Sequence, residues 1–465
     1  MKKYLLLFIA IILIAFPAHA AIHADTIWEV RQTATANNVN GCGFNPSNAT
    51  PGTDYSRQAA AEYTGNDLAS ADGDAAGCVI TSASHNFVDA DEGNIIHITE
   101  AGTGFTVGWY EIVTTSGNAA TLDRACGADG ALTGGVWALG GACSLASTLD
   151  HDFFNQLVAG NTVYVLYEAD HATITLGEAV TDSTDGTSTD AISLIGYATN
   201  RTKTNNDATR ETIATTGANA FTLGNFVNIR NLIFTPTSAT GVKTGTNSSI
   251  VNCKSTNAGG NYMAFSVGNF SVIVNSEASS TSGTAFGFLG YGTLMGSYAH
   301  DSNIGVLLNG GGNVVIDSVI DTCTTGISYA TYSYSKIINN TIYAGTTCVS
   351  GTTGGGTVML NNILSECATG ATSTNLQEDT ISDYNNYYSC ATADRVNWPT
   401  GPNDIDADPG FTDAANADFR VGANMKAVGI PSQIPGASAN CDAYVDLGAV
   451  QRVEPAGGSG GAYGF

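Results

Sequence analysis

Positive charge is the scarcest property of this chain. Sixteen Lys and Arg stand against 41 Asp and Glu, a net charge of −25. Between residues 255 and 335 no Lys or Arg occurs at all. A surface of that sign repels phosphate backbones and anionic lipid, so neither nucleic acid nor a membrane surface is an expected partner. Long apolar runs are also scarce. Beyond the first twenty residues none is long enough to cross a bilayer, so no membrane span is expected. No Cys-x-x-Cys pair occurs, which disfavours a structural zinc site. Charged residues make up 12% of the chain while glycine alone contributes 55 residues. With abundant Ser, Thr and Asn, that composition suits short strands and tight turns and excludes a helical protein.

The first segment has its own logic. "MKKYLLLFIAIILIAFPAHA" carries Lys2 and Lys3, an apolar run from Tyr4 to Phe16, and small residues at Ala18 and Ala20. This pattern predicts a secretory signal peptide over residues 1–20. The mature protein is then expected outside the cytoplasm: secreted, periplasmic or at the cell surface. Its net charge becomes −27 on loss of the two lysines (−25 − 2). Export permits disulfides, and ten cysteines remain. Cys42, Cys78, Cys126, Cys143, Cys390 and Cys441 are the main candidates. Cys323 and Cys367 lie two repeats apart, too far to bond directly by strand spacing, whereas Cys348 between them is within reach of either.

What the chain does have is a repeat. "VIVNSEAS", "VVIDSVID", "KIINNTIY" and "VMLNNILS" share an apolar stretch, a polar pair and a second apolar stretch. The last apolar residue before each polar pair is Ile229, Val251, Val274, Met295, Ile316, Ile338 and Leu360, in steps of 21 to 23. The residue after it is mostly Asn, with one Asp and one Gly, types that tolerate unusual turn backbone. A unit of about 22 residues has no room for a useful helix. It can hold three short strands that coil once about an axis, with successive coils in parallel pairing about 4.8 Å apart. The Asn series is then expected to form an internal ladder.

These phrases, with the ending "DADPGFTDAANADFRVGANMKAVG" and "DLGAVQ", resemble right-handed parallel β-helix repeat proteins, the pectate-lyase-like superfamily. The resemblance covers about residues 155–452. It implies an all-β, right-handed parallel β-helix solenoid, and says little about function, because the group includes lyases, hydrolases, epimerases, tailspikes and adhesins. The expected layout is a small β-rich N-terminal module or cap at 21–150, the β-helix at 151–390, closing coils at 391–452, and a Gly-rich tail at 453–465.

Chemistry is sparse. Counting five residues past each reference position brings His300 and Asp321 to the same corner of adjacent coils, with Asp301 beside them. An imidazole near carboxylates can act as general acid and base, so His300, Asp301 and Asp321 are the candidate catalytic residues. Tyr298, Tyr329 and Tyr343 are candidates for stacking on sugar rings. The lyases of the resembling group use a basic residue with calcium, yet residues 225–370 offer only Arg230, Lys243, Lys254 and Lys336. Calcium remains a candidate cofactor at Asp404, Asp406, Asp408, Asp413 and Asp418, although those residues suit turns better. The leading expectation is an exported β-helix that presents a polar face to a polysaccharide or surface glycan. The alternatives are a polysaccharide lyase or glycoside hydrolase with an uncommon site, and a tailspike-like or adhesin component, for which a trimer is the expected state.

Overall fold

The computed structural model describes residues 22–450, except 36–37, 48–51, 146–151, 170–172, 177–179, 182–183, 199–200, 202–209, 216–220, 238–239, 258, 330–333, 353–355, 376–378, 426–427 and 430–446. The expected signal peptide, Cys441 and the Gly-rich tail lie outside the described residues.

Each coil is three short strands, and each strand pairs with its copy one coil away. Val314–Ile316, Val319–Asp321 and Thr325–Tyr329 make up one coil. Stacking produces three sheets of twelve, ten and ten strands. Pairing between coils is parallel throughout, so the fold is a parallel β-helix. Its first sheet stacks Ile229, Ile250, Ile273, Leu294, Val315, Ile337 and Met359 in register as a fully buried column. The second sheet stacks Phe234, Ser255, Ala278, Ala299, Ile320 and Ile342. The third contributes Phe265, Phe286 and Val306, with the Phe265 and Phe286 rings stacked at 5.8 Å. One continuous apolar core runs from Ile22 and Trp28 to Trp398.

The reference residues do form a column: Val274 pairs with Met295 and Met295 with Ile316. That column lies one residue past the buried one and faces outward. Ile229 belongs to the inner column, and its true outward counterpart is Arg230.

The first corner turns on the residue after the outward one. Asn252, Asn275, Gly296, Asp317, Asn339 and Asn361 all take the left-handed conformation, with φ between 47° and 61°. Some of these side chains bond along the stack, as Asn252 Nδ2 to Asn231 Oδ1 at 2.8 Å and Asn361 Nδ2 to Asn339 Oδ1 at 2.6 Å. The buried ladder is one residue later. Ser276, Ser297, Ser318, Asn340, Asn362 and Asn385 are all buried. Each accepts the backbone N–H of the coil before it, for example Asn340 N to Asn362 Oδ1 at 2.9 Å. The buried corner thereby satisfies its own backbone groups.

The N-terminal region contributes to the stack and also departs from it. Ile27–Val30 lies in the first sheet, parallel to Thr162–Leu166 on one side and antiparallel to Gly43–Phe44 on the other. The antiparallel strand ends the ladder, which protects an otherwise open sheet edge. Between these elements the chain makes a closed six-stranded barrel from Tyr63–Ser70 to Leu132–Leu139 with a separate core around Leu68, Ile98 and Trp137. Cys78–Cys126 lies within the barrel, and Cys42–Cys143 ties its base to the end of the solenoid. The third disulfide, Cys348–Cys367, joins adjacent coils. Cys390, an expected disulfide partner, is unbonded; Cys253 and Cys323 are buried thiols. Burial raises the Cys253 thiol to about 11 and those of Cys323 and Cys390 to about 12, which keeps them protonated. Three disulfides fit a secreted or periplasmic protein. Among the described residues no helix is long and apolar enough to cross a membrane.

Candidate functional site

The outer surface of the second sheet carries two rows of side chains. One row runs Lys254, Glu277, Tyr298 and Val319 on successive coils; the other runs Thr256, Ser279, His300, Asp321 and Tyr343. Strand alternation points these positions outward while Ala278, Ala299 and Ile320 fill the core. His300 and Asp321 are therefore neighbours in register, as the spacing predicts.

The hydrogen bonds divide them differently. His300 Nε2 donates to Glu277 Oε1 at 3.2 Å, and Nδ1 donates to Asp301 Oδ2 at 2.9 Å. Lys254 Nζ reaches the same Glu277 oxygen at 2.8 Å. Asp321 bonds instead to Tyr298, whose hydroxyl donates to Oδ2 at 3.2 Å. The Tyr298 and His300 rings stack at 4.6 Å. Asp301 sits at a left-handed corner, φ 48°, where Thr322 Oγ1 donates to it at 3.0 Å.

Electrostatics follow from these contacts. The bond from His300, then Lys254, holds the Glu277 carboxyl down at about 2. Reciprocally, the bond to Glu277 and then that to Asp301 raise the His300 pKa, so both ring nitrogens act as donors. Asp301 is lowered by the same imidazole. Asp321 is raised, because burial outweighs its bond from Tyr298. Tyr298 is raised by burial and by the adjacent Asp321. A strip of six polar side chains thus sets Lys254 and His300 against the Glu277 and Asp301 carboxylates, beside Asp321, whose burial disfavours its charged form.

Downstream the same surface is covered. The C-terminal segment lays Phe411, Phe419, Val421 and Met425 over Ile363 and Tyr343. Tyr343 meets Phe411 at 5.9 Å and Phe419 at 5.4 Å, so its ring is engaged within the protein. Asp321, in register with Tyr343, therefore lies beside this aromatic cluster. Tyr329 is not available to a sugar: it is 3% exposed, in the inner column below Phe288 and Leu308. Gly351 on the next coil leaves room for its ring, since a Cβ there would come within 2.2 Å of it. The acidic ending serves turns. Asp404 accepts the backbone N–H groups of Asn385 and Gly401, Asp408 that of Gly410, and Asp418 pairs with Arg420.

Glu277 and Lys254 are the residues that the sequence count passes over. They stand three past the reference position, on the other outward row of the same strands. Counting both outward offsets of each strand exposes them.

No protein-family model and no curated protein matches the chain. Among solved structures it is similar to pectate lyase Pel9A, at 12% identity and TM-score 0.40, over 67% of this chain and 92% of that one. It is also similar to the periplasmic alginate epimerase AlgG, at 11% identity and TM-score 0.29, over 54% and 76%. A third is the catalytic domain of a GH87 alpha-1,3-glucanase in complex with nigerose, at 12% and 0.22, over 75% and 86%. At these scores the strand ladders themselves, rather than the likenesses, carry the fold.

Proposed function

We propose that this protein is an exported β-helix that binds an uncharged polysaccharide along the outer surface of its second sheet. The observation that carries this reading is the cluster of half-buried Lys254, Glu277, Tyr298 and His300 on two adjacent outward rows, with buried Asp321 beside them and Tyr343 next in register under Phe411 and Phe419. Such a strip offers fixed donors and acceptors to sugar hydroxyls, and a chain of sugars matches the length of a solenoid face. Its two cations are already bonded to Glu277 and Asp301, so little positive field remains for a uronate chain. The polymers named in the three similar structures make the first panel. Affinity electrophoresis is expected to show retardation by α-1,3-glucan or another neutral glycan, and none by pectate or alginate. Tyr298→Ala is expected to weaken retention at least tenfold, about 1.4 kcal/mol. Retention by pectate alone, or retention untouched by Tyr298→Ala, would defeat the proposal.

A second reading, cleavage of the glycan, draws on one observation. Asp321 is a buried carboxyl with a raised pKa in register with an imidazolium, the kind of group that can supply a proton to a leaving oxygen. Release of reducing ends from a retained polymer, lost in Asp321→Asn, is the outcome that favours it. Activity surviving both His300→Ala and Asp321→Asn would remove it.

A further inference from the structure

The first sheet is apolar on the side where a solvated sheet should be polar. Upstream its outward row holds Glu29, Tyr164 and Ile195, with Arg201 lying over Tyr164 and paired to Glu29. Beyond them it runs from Arg230 through six apolar residues, Val251 to Leu360, to Asp383, all in register. In the neighbouring outward row Val272, Val314, Val358 and Ile381 are also apolar, interrupted by the polar Ser249 and Thr293 and by Lys336, its single charge. Met295 is 40% exposed. At the edge where the third sheet turns into the first, Phe270 is 65% exposed and Tyr291 49%, their rings parallel at 5.4 Å. Strands apolar on both faces belong to sheets covered on both sides, and a contiguous exposed apolar patch marks an interaction surface.

We propose that a second copy of this chain covers this face, packed antiparallel about a two-fold axis, with Arg230 of each copy against Asp383 of the other. The charge pattern selects the occupant. Two molecules that each carry −25 repel over most of their surfaces. From Arg230 to Asp383 the outward row is neutral in sum, basic at the first of these eight coils and acidic at the last. An antiparallel copy meets that order with its complement at both ends, which is the self-complementarity that an isologous interface requires. The Asp383 carboxylate is held in place by the backbone N–H groups of Tyr384 and Asn403 and by the Asn403 side chain. Eight coils span roughly 34 Å and a four-residue strand about 13 Å, or roughly 450 Å² per copy before Phe270 and Tyr291 are added. That is below the ~800 Å² per partner of a standard interface, so association in the micromolar range is expected.

Sedimentation velocity of the full chain across the micromolar range tests this. Wild type is expected to move from monomer to dimer. Met295→Glu is expected to stay monomeric, and Arg230→Asp or Asp383→Arg alone to weaken association at least tenfold. The double exchange Arg230→Asp with Asp383→Arg is expected to recover it. If Met295→Glu does not fold, the charge exchange still decides the matter. A wild type that is monomeric throughout overturns the proposal, as does a double exchange no better than the singles. A monomer that loses polysaccharide retention on Met295→Glu overturns it too, and assigns the face to a glycan.

Discussion

At the scale of single residues, the first corner assigns two adjacent positions different work. Asn275 adopts φ 47° and is exposed, so its task is to tolerate left-handed backbone. Asn362 is fully buried and makes the ladder. It accepts the Asn340 N–H and donates to the carbonyls of Ile337 and Leu360, each at 2.9 Å. Asn362→Ala should therefore cost about 2–4 kcal/mol, because buried donors and acceptors lose their partners. Asn275→Ala should cost about 1 kcal/mol of backbone strain, and Asn275→Gly almost nothing. Denaturant melts of the three variants check the order; equal losses for Asn362→Ala and Asn275→Ala would sink the distinction. The sequence made the corner legible and blurred the ladder. Asn satisfies both positions, so "NN" at 339–340 and 361–362 gives no hint of which residue turns the corner and which accepts the neighbouring backbone N–H. In the coils where the inner position is Ser276, Ser297 or Ser318, nothing in a lone serine announces it.

At the scale of the strand and its neighbours, legibility depended on counting. The offset of five found His300 and Asp321 and missed Glu277, although Glu277 is the stronger partner of the imidazole. A 22-residue period fixes which residues share a column, but a strand has two outward positions, and only side-chain geometry tells which pairs meet. Tyr329 shows the converse. As a candidate for stacking on sugars it is misplaced: it shares a column with Phe288 and Leu308 and lies in the interior, and the apolar residues one and two periods before it are the signal that could have shown this. The network of Lys254, Glu277, His300 and Asp301 yields a pH prediction. His300 has a raised pKa in the folded state, so its contribution is complete below the unfolded value of 6.5 and is lost as pH rises through the folded value. Glu277 is lowered from 4.5 to about 2, so its contribution is complete above 4.5 and is lost as pH falls towards 2. The network should stabilise these coils most between about pH 4.5 and 6.5. The His300 imidazole resonances, identified by their absence in His300→Gln, should titrate above 6.5 in the wild type, and His300→Gln should flatten the alkaline side of a plot of melting temperature against pH. A His300 imidazole that titrates below 6.5 would contradict the assigned bonds.

At the scale of the whole molecule, a solenoid stacks units that touch only their neighbours, so each end must be secured by something other than another coil. At the N-terminal end that role falls to a strand and a disulfide. Glu29 N donates to the Cys42 carbonyl, Cys143 N to the Glu29 carbonyl and Arg31 N to the Cys143 carbonyl. The Cys42–Cys143 bond thus closes over Ile27–Val30, the strand that begins the first sheet. It also encloses the whole barrel, with a sequence separation of 101 residues. By chain entropy, a loop of that size is worth about 4–5 kcal/mol, against roughly 3 kcal/mol for the 19-residue separation of Cys348 and Cys367. Replacing Cys42 and Cys143 together by serine should therefore destabilise the protein more than replacing Cys348 and Cys367. The loss should also be local. Hydrogen exchange should quicken first at Ile27–Val30 and Thr162–Leu166, while Val314–Ile316, several coils away, keeps its protection. Uniform loss of protection along the stack would mean that the coils unfold as one unit, and that the end is not where this solenoid opens.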